Sequence, residues 1–221
     1  MSLYYFVNNE TALKESINNH EKIFDEFFYK TPTLREALMQ MFKSNGANLL
    51  KSNNLIKEIL TKITSHLDIN FKEIRKKYPK ITLEEAQIIS SYTCELSDNC
   101  FNPYKILNQN LASIERNKGI SKVSKYLFIF LKALRKLDKF YLNKDKNLYR
   151  CINCDIDLKS YHIGNTKVFF PFTSTSRNAS MTFGFLGNKN FFKCGTIFTL
   201  TGDVWGYDIQ LFNVLYEDEI I

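Results

Sequence analysis

The chain has 221 residues, 44% of them apolar and 14% aromatic, with a formal net charge of +7. That length fits a single domain with a buried core, and the apolar share excludes a disordered tail. No stretch approaches eighteen consecutive apolar residues, so no membrane-spanning helix is expected.

The opening segment, MSLYYFVNNETALKES, carries neither a basic start nor a long apolar run, so no Sec signal peptide is expected there. Action inside a cell, native or entered by delivery, is favoured, while the compartment itself stays unknown. The first two thirds read as helical. Thr33-Leu34-Arg35-Glu36 and Thr82-Leu83-Glu84-Glu85 both fit a capping box, and Pro32 and Pro79 end what precedes them. Between them, Asn54–Leu67 sets Leu55, Ile59, Leu60, Ile63 and Leu67 on one helical stripe. Ser121–Leu137 does the same with Val123, Tyr126, Leu127, Phe130, Leu131 and Leu134. Lys122, Lys125, Lys132, Lys136 and Lys139 fall mostly on the opposite side.

The charge is unevenly spread. Residues 111–150 hold 11 basic and 3 acidic groups, against 14 and 13 in residues 1–110 and 5 and 7 in residues 151–221. A block of this kind suits nucleic acid, an acidic partner or a membrane surface, but the interleaved apolar residues favour a solvated helix face. No nucleic-acid partner is expected.

After about residue 145 the composition turns to Val, Ile, Phe, Thr and Gly. Asn147–Ile152, Thr166–Thr173, Lys193–Leu200 and Tyr216–Ile221 read as strands. Helices followed by strands predict an α+β fold in one domain spanning residues 1–221, with 1–140 mainly a helical lobe and 141–221 mainly β. The five cysteines, Cys94, Cys100, Cys151, Cys154 and Cys194, are odd in number, which favours a reducing compartment while leaving one or two disulfides open. Cys151 and Cys154 form a C-x-x-C with no second pair to complete four ligands, so no metal site is expected.

Three short pieces of the β-rich part carry the chemistry. They are Tyr149-Arg150, Phe172-Thr173-Ser174-Thr175-Ser176 and Glu217-Asp218-Glu219. On a strand, Glu217 and Glu219 share one face, as do Ser174 and Ser176. Taken singly, each has an ordinary explanation: a strand-end arginine, a Ser/Thr-rich strand, an exposed acidic terminus. Their order is what is informative.

The ordered trio resembles the arginine, Ser-Thr-Ser, Glu-x-Glu class of mono-ADP-ribosyltransferases, which includes the arginine-specific ectoenzymes and the actin-modifying binary toxins. The resemblance spans roughly residues 80–221, through Ile81–Leu111 and Gly195–Ile221. It implies two facing antiparallel-rich β-sheets forming an NAD cleft, with an N-terminal helical lobe, in a protein expected to be a monomer. NAD is implied as a substrate, with no metal, and a protein bearing a reactive arginine as acceptor. Arg150 would meet the pyrophosphate with its planar fork, and Cys151 would touch the nicotinamide amide through its backbone. Ser174 would orient the catalytic glutamate, Thr175 would support the strand pair, and Ser176 would belong to the NAD site. Phe183, preferred over Phe185, would stack on nicotinamide. Glu219 would stabilise the oxocarbenium-like ribose, and Glu217 would receive the acceptor guanidinium. The segment Tyr207–Leu215 would form an exposed acceptor loop with Phe212 at its tip. Two alternatives stand beside this: an NAD glycohydrolase of the same fold, and a non-catalytic binding module built on the basic 111–150 helix. A toxin or effector and an endogenous regulator share these features.

Overall fold

The computed structural model describes residues 31–143, 146–152, 161, 163–164, 171–180, 195–215 and 219–221. It is a mixed α+β structure. The described helices are α1 (Leu34–Ser44), α2 (Leu49–Lys77), α3 (Leu83–Tyr92), α4 (Pro103–Leu111) and α5 (Arg116–Leu134), with a short 3-10 turn at Asn99–Phe101. The described strands are β1 (Lys139–Tyr141), β2 (Leu148–Ile152), β3 (Thr196–Leu200) and β4 (Trp205–Tyr207), and a second 3-10 turn follows at Gln210–Phe212.

The helices begin where the sequence directs them to. Thr33 and Thr82 each close a full capping box, with Glu36 and Glu85 returning a carboxylate to the cap backbone. These contacts satisfy amide donors that no helical carbonyl can reach. Asn48 caps α2 by accepting from Lys51 N at 2.9 Å, so α2 starts earlier than the apolar stripe suggested and runs 29 residues. Its last turn carries Arg75, Lys76 and Lys77, cations that suit the negative end of the helix dipole. Pro103 occupies the first turn of α4, where a missing amide donor costs nothing.

One hydrophobic cluster unites the helices. Leu55, Ile59, Ile63 and Leu67 of α2 and Val123, Tyr126, Leu127, Phe130 and Leu134 of α5 are all buried in it, with Leu60 and Leu131 packed against its edge. Gly119 lets α5 start against α4, since a Cβ there would fall 2.2 Å from the Asn110 carbonyl oxygen.

The strands form two antiparallel pairs, β1 with β4 and β2 with β3. Single bridges join the pairs into one hydrogen-bonded series. Tyr149 exchanges bonds with Ser176, Thr175 with Ile220, and Tyr207 with Ile221. The order across the series is therefore β1, β4, residues 219–221, residues 175–176, β2, β3. Gly206 is required on β4, because a Cβ would approach the Ile221 carbonyl oxygen to 2.7 Å.

Two strand expectations change. Of Thr166–Thr173, residues 166–170 lie outside the described residues, and Pro171–Thr173 is not strand. Phe172 there is drawn into the helical core and its amide bonds Asn108 Oδ1 at 3.0 Å, which takes it out of a ladder. Residues 216–218 also lie outside the described residues, and Glu219–Ile221 pairs only through bridges. No helix among the described residues is long and apolar enough to cross a membrane.

Candidate active site

A cavity of about 440 Å³ opens between the helices and the strand series. This is within the roughly 300–1,000 Å³ typical of small-molecule sites. Its strand wall includes Arg150, Cys151, Ser174, Ser176, Asn213 and Glu219. Its helical wall includes Tyr92, Thr93, Tyr104, Lys105 and Asn108.

Arg150 enters from β2. Its Nη1 donates to the Ser174 carbonyl oxygen at 3.2 Å, and it has no carboxylate ion partner among the described residues. Burial pulls its guanidinium below the ordinary arginine value, opposed by Tyr92, but an arginine keeps its charge. A half-buried cation without a paired carboxylate lowers the desolvation cost of an anion that enters beside it. Cys151 follows, half-buried, with its thiol pushed up by burial.

Glu219 faces the cavity from residues 219–221, which lie between β4 and residues 175–176. The bridge of Thr175 to Ile220 sets Ser176 across from Glu219. Thr175 Oγ1 donates to the Ile220 carbonyl at 2.9 Å, fastening the two segments together. Glu219 Oε2 accepts from Asn213 Nδ2 at 2.8 Å. Ser174 Oγ meets the Tyr92 hydroxyl at 3.4 Å. Asn213, which the resemblance did not imply, is thus a side chain that orients Glu219. The reason lies in the chain path, since Asn213 is carried beside the carboxylate by the turn before it.

Tyr92 closes the floor. Asn108 Nδ2 donates to its hydroxyl at 3.2 Å, while Asn108 Oδ1 is held by the Phe172 amide. Between the Tyr92 hydroxyl and Ser174 Oγ, either oxygen can donate. Burial first, then the Glu219 charge, pushes the Tyr92 hydroxyl well above the ordinary tyrosine value, so it stays protonated.

Phe212 requires a correction. It is 0% exposed, inside the helical core, with its ring 5.8 Å from that of Tyr78. Tyr207–Leu215 is not a projecting loop: Tyr78 donates to the Asp208 carbonyl at 3.1 Å, His66 Nε2 meets the Leu211 carbonyl at 2.9 Å, and Val214 N donates to Thr93 Oγ1 at 3.0 Å. Asp208 pairs with Arg177 at 2.8 Å and Lys77 at 3.2 Å. Five of the seven residues Ile209–Leu215 are apolar, a proportion that suits burial better than a solvated tip.

The cavity thus gathers Arg150, Cys151, Ser174, Ser176 and Glu219 from the sequence candidates and leaves Phe212 in the core. Glu217 and Phe183, as well as Cys154, lie outside the described residues. Tyr92, Asn108 and Asn213 were not singled out by sequence. Among the described residues, no group of three or more His, Cys, Asp or Glu side chains is placed to hold a metal ion. Compared with known proteins, the chain matches no family model, no curated protein and no solved structure.

Proposed function

We propose that this chain is an NAD-dependent mono-ADP-ribosyltransferase, which moves ADP-ribose from NAD to a protein arginine and releases nicotinamide. The observation that carries this reading is the meeting, in one cavity, of Arg150 with no carboxylate ion partner among the described residues and the hydrogen-bonded Glu219 carboxylate. In this reading the cavity between the strand series and the helices holds NAD, and the whole chain is a single transferase domain acting as a monomer.

Each group then has a task. The Arg150 fork binds the pyrophosphate, where a point charge would be a poorer match. Ser174 and Ser176 offer hydroxyls beside it, and the Cys151 backbone meets the nicotinamide amide. The bond between ribose C1′ and the nicotinamide nitrogen breaks, and its electron pair leaves with nicotinamide, which becomes neutral. The Glu219 carboxylate stabilises the cationic ribose and accepts the 2′-hydroxyl hydrogen bond. A guanidine nitrogen of the acceptor then bonds C1′ and gives its proton to Glu217. Phe183 stacks on nicotinamide.

The burial of Phe212 removes one of the two residues read as acceptor contacts, and this favours, as a second reading, an NAD glycohydrolase in which water takes the acceptor's place. One experiment separates them. The purified chain is incubated with labelled NAD and a cell lysate, and nicotinamide release and protein labelling are followed together. The transferase gives both, and Glu219→Gln lowers both by about 10²-fold or more, because the amide keeps shape and loses charge. Release without labelling supports the glycohydrolase. Full activity in a folded Glu219→Gln variant overturns both.

A further inference from the structure

We infer that Asn213 is a positioning residue for Glu219: it fixes the carboxylate's direction in the cavity and keeps it ionised. The inference rests on the proposed activity only for its kinetic readout.

The geometry allows the Asn213 amide one orientation. Its side-chain oxygen accepts from Leu215 N at 2.8 Å, and a backbone N–H can donate only to an acceptor. The amide nitrogen must then be the atom 2.8 Å from Glu219 Oε2, and it can only donate. A donor bonded to a carboxylate favours the charged form. Asn213 is itself 1% exposed, so its amide is held in place by the protein around it.

The frame that holds the amide is built from the helical side. Phe212, next to it, is seated in the core, and Val214 N, on its other side, donates to Thr93 Oγ1 at 3.0 Å. Thr93 in turn donates to the Ser90 carbonyl at 2.9 Å at the end of α3. The Asn213 backbone amide closes the 3-10 turn on Gln210 O at 3.2 Å. Phe212 therefore serves the site from within the core, by fixing the turn that aims its neighbour.

Other charges bear on Glu219. From α3 the cavity receives Tyr92, and from the turn after it Glu95. Tyr104 and Lys105 come from α4, and Tyr149, Arg150 and Cys151 from β2. None of these changes when Asn213 is replaced, so a shift in Glu219 titration reports the amide.

The decisive substitution is Asn213→Asp. Its carboxylate still accepts from Leu215 N but turns an acceptor toward Glu219. Two carboxylates then share the site, and protonation of the pair moves up in pH. The acidic limb of the kcat/KM profile for NAD cleavage is expected to rise by about 1–3 pH units. Carbon-13 NMR of labelled Glu side chains is expected to show the same rise for the resonance that Glu219→Gln removes. Asn213→Ala, which adds no charge, is expected to give a smaller rise in the same direction and carries the test if the Asp variant does not fold. Melting curves identify the folded variants. An unmoved Glu219 titration in a folded Asp or Ala variant overturns the inference. The NMR titration needs no NAD, so a wild-type chain that leaves NAD intact would overturn the proposed activity without touching this one.

Discussion

The helical and strand regions of this molecule are held together in different ways. The helices share one continuous cluster that runs from Leu34 to Phe212. The described strands share a second cluster of only three buried residues, Leu142, Leu148 and Ile220. Phe140, Leu200 and Val204 pack against that second cluster. The strand series is moored to the helical core by Phe172, Ile209 and Phe212. The candidate site lies where the strand series meets the helical core, and its aim is set through these residues.

The strongest way to break this comparison is at a mooring point. Phe212→Ala removes a fully buried ring from the turn that carries Asn213. It is expected to cost about 3–5 kcal/mol of stability. NAD hydrolysis and protein modification should fall in parallel with the folded fraction, measured by denaturant unfolding. Loss of protein modification alone, with unchanged stability, would return Phe212 to an acceptor surface.

A smaller effect is expected at Asp208, which ties the strand side to α2. Burial by itself raises this carboxyl. The Gln210 amide, Arg177 and Lys77 outweigh burial and hold it below the usual aspartate value. A depressed carboxyl contributes stability above its unfolded pKa, and that contribution disappears as pH falls through its folded pKa. Asp208→Asn should lower the melting temperature at neutral pH and flatten the acid side of the stability profile below about pH 4. An equal drop at pH 7 and pH 3 would show that the carboxylate charge is not what ties the regions.

The smallest effect belongs to the helical region alone. Thr33→Ala and Thr82→Ala each remove a capping box and should cost about 1 kcal/mol by thermal unfolding. Neither touches the cavity, so NAD affinity measured by calorimetry should stay within error of the parent. A coupled loss of affinity would mean that the cavity depends on helix ends far from its walls.

Much of this architecture is legible along the chain. The capping boxes and the apolar stripes of α2 and α5 are local, since they depend on neighbours three or four residues apart. The candidates Arg150, Ser174, Ser176 and Glu219 were found by their order, and they line one cavity. Phe212 was misplaced because the resemblance implied an exposed loop there, against the largely apolar run Ile209–Leu215 that suits burial. Asn108 and Asn213 passed unnoticed because an asparagine is an ordinary surface residue until its amide is pinned by a distant or turning backbone.

By itself the sequence determined the α+β class, the helix starts at Thr33 and Thr82, the buried faces and the residue types available for chemistry, because each follows from short-range periodicity and composition. Only the tertiary structure decided which hydrogen bonds those residues make. Tyr92 meets Ser174 across 82 positions and Thr93 reaches Val214 across 121. No local pattern encodes such a contact, since its partners are chosen by how the strand series settles on the helical core.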